Sequence, residues 1–182
     1  MSIVAIISSP RKGANTDVLV NAVADGAKEN GKEVVTFYLN ALANKKGCQG
    51  CDGCKRNGGS CITKDDLTPI LDAIRESEGI IVSSPVYFGE ACGQYRLLED
   101  RFYGFLKPDF SPSIEPGKKL VVITTAGSAG ADALADKMET PLKNFLGFNT
   151  IGKMAVVTKN DRKFAEGNAD LIAQAKAIGK KF

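Results

Sequence analysis

Four of the five cysteines lie within one short, glycine-rich stretch of the chain. Their spacing is C-x2-C-x2-C-x6-C, and the residues are Cys48, Cys51, Cys54 and Cys61. Four thiols so close in sequence can converge on one metal centre, and the C-x2-C-x2-C start is an iron–sulfur spacing. Structural zinc more often uses two separated C-x2-C pairs. The segment therefore predicts an iron–sulfur site, with zinc or no metal as the alternatives.

The chain contains no histidine, which limits the chemistry that its side chains can perform. Triads built on histidine, histidine general bases and histidine-ligated metals are excluded. No side chain is predicted to be a catalytic acid or base, and we expect the reaction to depend on a cofactor. The fifth cysteine, Cys92, is predicted to be a small buried residue rather than a reactive thiol.

A polar loop at residues 8–16 joins an apolar segment to a helix-like segment. The start of a helix offers free N–H groups and a partial positive charge, which suit a phosphate. The hydroxyls of Ser9 and Thr16 can add donors. The loop matches neither G-x-G-x-x-G nor G-x-x-x-x-G-K-[ST], so dinucleotide-binding Rossmann and P-loop interpretations lose support. From spacing alone, a phosphate site and an ordinary polar turn are both open.

Along the chain, strand-like and helix-like segments alternate five times. The predicted strands cover residues 2–7, 33–39, 79–83, 119–124 and 150–158. The predicted helices cover about 16–30, 68–77, 94–106, 131–146 and 160–178. Asn15 or Thr16 is the expected N-cap of the first helix, and Gly31 is expected to end it. Thr68 is the expected N-cap of the second helix, with Pro69 at its first helical position. The strands are mostly apolar, as in sheets buried on both faces. The pattern predicts an α/β fold with a doubly wound five-stranded parallel sheet. The cysteine-rich stretch is an insertion after the second strand.

Ligands of open α/β sheets bind beyond the carboxyl ends of the strands. Proline and aromatic residues at 85–88, after the third strand, offer a rigid apolar wall for a planar ring. Backbone amides there and at 125–128 can bond the polar edge of such a ring. For Tyr87 and Phe88 the alternative is core packing.

Three motifs in the expected order resemble those of the NAD(P)H-dependent FMN reductases. They are S-P-R-K-x-x-N-T at residues 9–16, S-P-V-Y-F at residues 84–88 and D-R at residues 100–101. The resemblance covers most of the chain and is strongest over the first two thirds. It implies a flavodoxin-like fold, with the FMN phosphate in the first loop and the flavin ring along the second. Together with the loop chemistry, it implies these cofactor-binding residues: Ser9, Arg11, Lys12, Asn15, Thr16, Ser84, Pro85, Val86, Tyr87, Phe88, Thr125, Ala126 and Gly127.

The compact cysteine motif is similar to that of the iron-sulfur flavoproteins, which carry a [4Fe-4S] cluster beside FMN in the same fold. We therefore expect one flavodoxin-like FMN-binding domain over residues 1–182, with a cluster-binding insertion at 44–64. The expected function is transfer of electrons from NAD(P)H or a reduced carrier, through FMN and a [4Fe-4S] cluster, to a small-molecule or protein acceptor. The alternatives are a flavodoxin-like electron carrier, an FMN or quinone reductase without a cluster, and a zinc-stapled binding domain without a flavin.

The composition limits which classes of partner and which cellular location are expected for the chain. The net charge is only +3 and no aromatic-spaced basic stripe is present, so nucleic acid is not an expected partner. No apolar run is long enough to span a bilayer and no signal peptide is visible, so we expect a cytoplasmic location. Aromatic residues at 102–105 and Phe110 suggest an interface or the chain's own core. The family resemblance favours the interface, and thus a homodimer or homotetramer.

Overall fold

A computed structural model describes residues 2–182. Five parallel strands form a sheet in the order β2-β1-β3-β5-β6, and β4 pairs antiparallel with the end of β3. The strands are β1 (Ile3–Ile7), β2 (Val34–Tyr38), β3 (Gly79–Tyr87), β4 (Glu90–Ala91), β5 (Lys119–Ala126) and β6 (Asn149–Val157). This order places the switch in winding direction between β1 and β3. The predicted flavodoxin-like fold is confirmed.

Helices cover both faces of the sheet. They are α1 (Asn15–Glu29), α2 (Gly53–Arg56), α3 (Thr68–Glu76), α4 (Gly93–Arg101), α5 (Ala131–Leu146) and α6 (Ala169–Gly179). Short 3-10 turns lie at Leu39–Ala41 and Phe102–Phe105. In β1, Ile3 and Ile7 face the core of α1 and α6, whereas Val4 and Ile6 face the core of α3, α4 and α5. Because both faces of β1 are buried, its sequence is a continuous apolar run.

Several predicted element boundaries were wrong. β3 does not end at residue 83 but continues to Tyr87, because its extension pairs with β5 on one side and with β4 after a two-residue turn. The last helix begins at Ala169 rather than residue 160, which leaves residues 158–168 as a loop. Helix α4 ends at Arg101 and passes into a 3-10 turn. The N-cap of α1 is Ala14 rather than Asn15 or Thr16, and that of α3 is Leu67 rather than Thr68. Gly31 follows α1 with a positive φ, as predicted.

The cysteine-rich stretch follows β2 and is mostly irregular, as predicted. Its two ends are joined at the base: the Asn44 N–H donates to Asp66 Oδ2 at 2.8 Å, and the Lys46 N–H donates to Asp65 Oδ2 at 3.0 Å. The segment therefore leaves and rejoins the fold at one place. Across residues 2–182 we find no helix with the length and apolar character needed to cross a membrane.

Candidate functional site

A cavity of about 280 Å³ opens at the carboxyl ends of β1, β3, β5 and β6. Its lining comes from four segments that lie far apart in the sequence. The residues are Ser9, Arg11, Ala14, Asn15, Thr16, Pro85, Val86, Tyr87, Thr125, Ala126, Gly127, Thr158, Asn160, Asp161 and Arg162. This is the place where an open parallel sheet binds its ligand.

Most of the residues expected to bind a cofactor lie in this lining. Ser9, Arg11, Asn15, Thr16, Pro85, Val86, Tyr87, Thr125, Ala126 and Gly127 are brought together there. Lys12, Ser84 and Phe88 are not among the lining residues. The Lys12 ammonium instead lies over the Tyr38 ring, 5.3 Å from its centre.

The first loop is held in shape by its own polar groups. The Arg11 N–H donates to Ser9 Oγ at 3.1 Å. Thr16 Oγ1 and Thr125 Oγ1 are 2.7 Å apart and share a buried hydrogen bond between α1 and the end of β5. The hydroxyl of Ser8, which precedes Ser9, is buried without a hydrogen-bond partner. A buried polar atom without a partner is costly unless a ligand or water satisfies it. Ser9 and Thr16 thus place hydroxyl groups in the lining at this end of the cavity, and the neighbouring Ser8 hydroxyl has no protein partner.

The side chain of Asn15 joins two of the cavity's loops. Its Nδ2 donates to the Asp161 carbonyl at 2.6 Å, and its Oδ1 accepts from the Ala165 N–H at 2.8 Å. The amide is thereby engaged by protein groups, so its direct effect is to fix the loop after β6 against the first loop.

Asp17 is a buried carboxylate in the first turn of α1 that sequence reasoning missed. It accepts from the Gly13 N–H at 2.6 Å, from Asn21 Nδ2 at 2.7 Å and from the Tyr38 hydroxyl at 3.2 Å. These bonds connect the first loop to α1 and to the end of β2 and hold it in position. An acidic residue in the first turn of the predicted helix was the available signal.

Four lining residues beyond β6 were also missed: Thr158, Asn160, Asp161 and Arg162. Thr158 fell at the end of the last predicted strand, and the other three fell inside a helix that was predicted from residue 160 onward. Lys159 and Asn160 have positive φ, which marks a turn. Asn160 packs so closely on Gly127 that a Cβ at Gly127 would meet its Oδ1 at 2.1 Å. Arg11 and Arg162 are both exposed and add positive charge at the cavity's mouth.

The β3–β4 hairpin forms one wall of the cavity. Its turn consists of Phe88 and Gly89, with φ of +52° and +81°. Such a turn usually takes asparagine or glycine first, because other side chains are strained in the left-handed region. The Phe88 ring is fully exposed, while Tyr87 lines the cavity. An exposed ion pair, Lys137 Nζ to Glu90 at 2.6 Å, joins the hairpin to α5.

The four clustered cysteines do not converge. Cys48 and Cys51 are exposed, Cys54 is buried and Cys61 is partly buried. Within residues 2–182, no three Cys, Asp or Glu side chains come together in a way that could hold a metal ion. The donors fit an iron–sulfur or zinc site by their chemistry, but binding requires part of the segment to close. Cys92 is buried, as predicted, and its sulfur donates to the Ser8 carbonyl at 3.3 Å.

A second, apolar cavity of about 500 Å³ lies between α4 and α5. We call it the α4–α5 groove; it is lined by Glu99, Asp100, Phe102, Tyr103, Leu106, Phe110, Pro141, Leu142, Phe145 and Leu146. Phe102 and Phe105 are buried in the chain's own core, whereas Phe110 and Phe145 remain 63% and 62% exposed. The aromatic stretch thus divides between core and surface.

Comparison with known proteins finds a matching family model and similar sequences. Residues 1–163 match the family model described as NADPH-dependent FMN reductase. An iron-sulfur flavoprotein of Methanocaldococcus jannaschii is 33% identical over 163 residues, covering 88% of this chain and 78% of the relative. One from Methanosarcina thermophila is 34% identical over 122 residues, covering 67% of this chain and 63% of the relative. The chain thus spans less than two thirds of the latter protein.

Solved structures share the fold at low sequence identity. A NAD(P)H:quinone oxidoreductase from Methanothermobacter marburgensis superposes with a TM-score of 0.73 at 15% identity, covering 100% of this chain and 95% of that one. A flavodoxin from the domain Archaea gives a TM-score of 0.62 at 11% identity, with coverage of 100% and 95%.

Proposed function

Because the chain belongs to the NADPH-dependent FMN reductase family, we propose that it is an oxidoreductase that binds FMN in the cavity at the carboxyl ends of its parallel strands. The observation that carries the proposal is the cavity itself. It joins a hydroxyl-rich helix start, an aromatic hairpin wall and the carboxyl end of β5. FMN has the corresponding parts: a phosphate, a planar ring and a polar ring edge.

Ser9, Arg11 and Thr16 would hold the phosphate with their side chains, and Asn15 would contribute its backbone N–H at the start of α1. Hydroxyl and N–H donors at a helix start favour an anion, and Arg11 adds a full charge. Lys12 belongs to the same proposed set, and its ammonium would have to leave the Tyr38 ring to reach a phosphate oxygen. Asp17 and Asn15 keep the loop in shape through the bonds described above.

The hairpin and the carboxyl end of β5 would hold the flavin ring. Pro85, Val86 and Tyr87 provide the apolar wall, and Phe88 would extend it at the rim. Ser84 acts indirectly, because its hydroxyl donates to the Pro85 carbonyl at 2.9 Å and accepts from the Cys92 N–H at 3.0 Å. The backbone of Thr125, Ala126 and Gly127 would meet the polar ring edge.

When bound, FMN supplies hydride and single-electron chemistry that no side chain of this chain can perform. The protein binds and orients the flavin and shields one face of it from water. We propose NADPH or NADH, or a reduced carrier, as the electron donor, and a small molecule or protein as the acceptor. We also propose one FMN-binding domain over residues 1–182, with residues 44–64 as its insertion, and a cytoplasmic location.

We further propose that Cys48, Cys51, Cys54 and Cys61 hold a [4Fe-4S] cluster. The proposal is supported by the thiol spacing and by the names of the relatives, which are iron-sulfur flavoproteins. The exposed half of the segment, with Cys48 and Cys51, would have to move toward Cys54 and Cys61. The alternative is an FMN or quinone reductase, or a flavodoxin-like carrier, without a cluster. The separated cysteines favour that alternative.

We propose that the α4–α5 groove is covered by a second copy of the chain in a homodimer or homotetramer. Two phenylalanines more than half exposed in one apolar groove are unusual for a free surface. Tyr103 and Phe110 connect the groove to the cysteine segment, since the Lys55 ammonium lies 3.7 Å and 5.7 Å from their ring centres.

A comparison of FMN with riboflavin tests the proposed orientation. Calorimetric titration of the flavin-free protein should give an FMN affinity at least about 100-fold above that of riboflavin, because several charge-assisted hydrogen bonds reach only the phosphate. Equal affinities would show that the first loop does not hold the phosphate. Failure of both flavins to bind would contradict the proposed function altogether.

A further inference from the structure

Two consecutive serines, Ser83 and Ser84, end the apolar run of β3 just before the hairpin wall of the cavity. Both are fully buried. Because side chains alternate along a strand, the two hydroxyls lie on opposite faces of the sheet. Ser83 Oγ donates to the Ile6 carbonyl at 2.7 Å and so joins β3 directly to β1. The Ser84 hydroxyl binds no group of β1, and its partners lie in the hairpin and at the start of α4.

Ser84 closes the base of the β3–β4 hairpin. Its hydroxyl accepts from the Cys92 N–H at 3.0 Å and donates to the Pro85 carbonyl at 2.9 Å. Cys92 directly follows β4 and is the N-cap of α4. One buried hydroxyl therefore joins the strand that enters the hairpin to the residue that leaves it.

The side chain of Cys92 continues this connection to the first loop. Cys92 is 1% exposed, and its S–H donates to the Ser8 carbonyl at 3.3 Å. Ser84 Oγ lies 3.4 Å from the same sulfur. Ser8 follows the last residue of β1 and begins the first loop. The three residues thus connect the hairpin wall to the first loop, although none of them is among the lining residues of the cavity.

We propose that Ser84 and Cys92 act together as positioning residues, which set the first loop and the hairpin wall at the separation that FMN requires. The inference rests on the FMN site of the proposed function. A ligand held at its phosphate and at its ring gains affinity from both contacts only when the two loops are correctly spaced, because the second contact is then intramolecular. Ser84 anchors the hairpin at its base, and Cys92 connects that anchor to the first loop.

Paired titrations with FMN and riboflavin measure this spacing, because riboflavin has the ring but lacks the phosphate. Ser84→Ala leaves the buried Cys92 N–H without its acceptor, so the hairpin base must shift. We expect FMN affinity to fall by about tenfold or more, while riboflavin affinity changes by less than about threefold. Cys92→Ala removes only the weaker S–H bond and should cost about three- to fivefold in FMN affinity. Cys92→Ser keeps a donor and should stay within about twofold of the wild type.

Ser77→Ala is the matched control for general loss of stability. Ser77 is as buried as Ser84 and its hydroxyl donates to the Ile74 carbonyl at 2.9 Å, but it precedes β3, at the opposite edge of the sheet from the cavity. This variant should lower the thermal midpoint by a few degrees and leave the ratio of FMN to riboflavin affinity within about twofold of the wild type. Equal losses of FMN and riboflavin affinity in Ser84→Ala, or the same change of ratio in Ser77→Ala, would overturn the proposal and leave Ser84 as a support of the fold.

The double variant tests whether Ser84 and Cys92 act as one unit. Losses of FMN affinity in Ser84→Ala and Cys92→Ala should combine to less than their product, because the two residues belong to one chain of contacts. Losses that multiply in full would show two independent effects and contradict the joint role. If riboflavin binds too weakly to measure, the visible circular dichroism of bound FMN decides. A changed spectrum in Ser84→Ala but not in Ser77→Ala is expected, and an unchanged one overturns the proposal.

The wild-type titration separates this inference from the proposed function. Wild-type protein that binds neither flavin contradicts the proposed function itself. Wild-type binding of FMN, with the same ratio of FMN to riboflavin affinity in Ser84→Ala, refutes only the positioning role. If Ser84→Ala does not fold, Cys92→Ala is compared with Cys92→Ser: a fall in the ratio that serine restores is expected, and an unchanged ratio overturns the proposal.

Discussion

The buried hydroxyl pair of Thr16 and Thr125 connects the proposed phosphate end of the cavity to the sheet. Thr16→Val removes one hydroxyl and leaves that of Thr125 without its 2.7 Å partner. We expect FMN affinity to fall by about tenfold or more, as for a lost hydrogen bond to a charged group. Thr16→Ser keeps the hydroxyl and should stay within about threefold of the wild type. Equal effects of the two substitutions in a fluorescence titration would contradict the assignment.

Phe88 has a strained backbone and a side chain without protein contacts to lose. Asparagine tolerates the left-handed region better, so Phe88→Asn should raise the free energy of unfolding by roughly 0.5–1 kcal/mol in urea titrations. Phe88→Ala is the control, because it removes the ring but keeps the strain. Both should weaken FMN binding if the ring extends the flavin wall. A destabilised Phe88→Asn would refute the strain argument.

Residue types at strand ends identified much of the candidate site from sequence. Ser9, Arg11, Asn15 and Thr16 of the first loop line the cavity together with residues 85–87 and 125–127. The sequence could not show which partners each side chain binds. Asn15 bonds to Asp161 and Ala165, and Asp17 accepts a hydrogen bond from the Gly13 N–H of the first loop. Such choices depend on contacts between residues far apart in the chain.

At the scale of elements, α1 and α6 approach each other through two glycines. A Cβ at Gly26 would lie 2.1 Å from the Lys176 carbonyl oxygen, and one at Gly179 would lie 2.0 Å from the Val23 carbonyl oxygen. Alanine normally stabilises a helix interior by about 1 kcal/mol over glycine. We nevertheless expect Gly26→Ala to lower the free energy of unfolding by about 2 kcal/mol or more, because the helices must separate.

Gly93→Ala provides the matched control in the first turn of α4. A Cβ there meets nothing within 4 Å, and the backbone φ is not positive. Denaturant unfolding should therefore show no loss, or a small gain, for this variant. A Gly26→Ala protein as stable as Gly93→Ala would mean that α1 and α6 are not packed as described.

The elements missed from sequence share a physical cause. Residues 85–87 were interpreted as a loop, but Pro85 pairs with β5, and Val86 and Tyr87 pair with β4, so β3 continues to the hairpin turn. Residues 160–168 have enough helix formers to suggest a helix, yet Asn15 holds Ala165 and keeps that stretch as a loop against the cavity. In both places long-range pairing overrides local preference. The five-stranded alternation, which depends on buried apolar runs, was predicted correctly.

At the scale of the whole molecule, the proposed association through the α4–α5 groove would depend on pH through Glu99. Burial raises the pKa of Glu99, against a smaller lowering by Arg96. The Glu99 carboxyl therefore ionises at a lower pH in the unfolded state than in the folded state. Its contribution to the free energy of unfolding is greatest at low pH and is lost as the pH rises through the raised pKa. Covering the groove with a second copy would bury Glu99 and Asp100 further. We expect association, measured by analytical ultracentrifugation, to weaken from about pH 5 to about pH 8.

Glu99→Gln removes the ionisable group and should flatten this dependence. Glu90→Gln is the control, because that carboxylate is exposed beside Lys137 and outside the groove. An identical pH profile for the wild type and Glu99→Gln would show that Glu99 does not lie at the interface. A monomer at every pH would refute the proposed oligomer.

The most direct test of the central claim is an anaerobic absorption spectrum of the protein after incubation with FMN and removal of free flavin, recorded before and after NADPH is added. We expect bound flavin in equal amount to the protein, and loss of its visible absorbance on addition of NADPH. Protein that retains no flavin would contradict the account. Bound flavin that stays oxidised with both NADPH and NADH would indicate an electron carrier rather than a reductase.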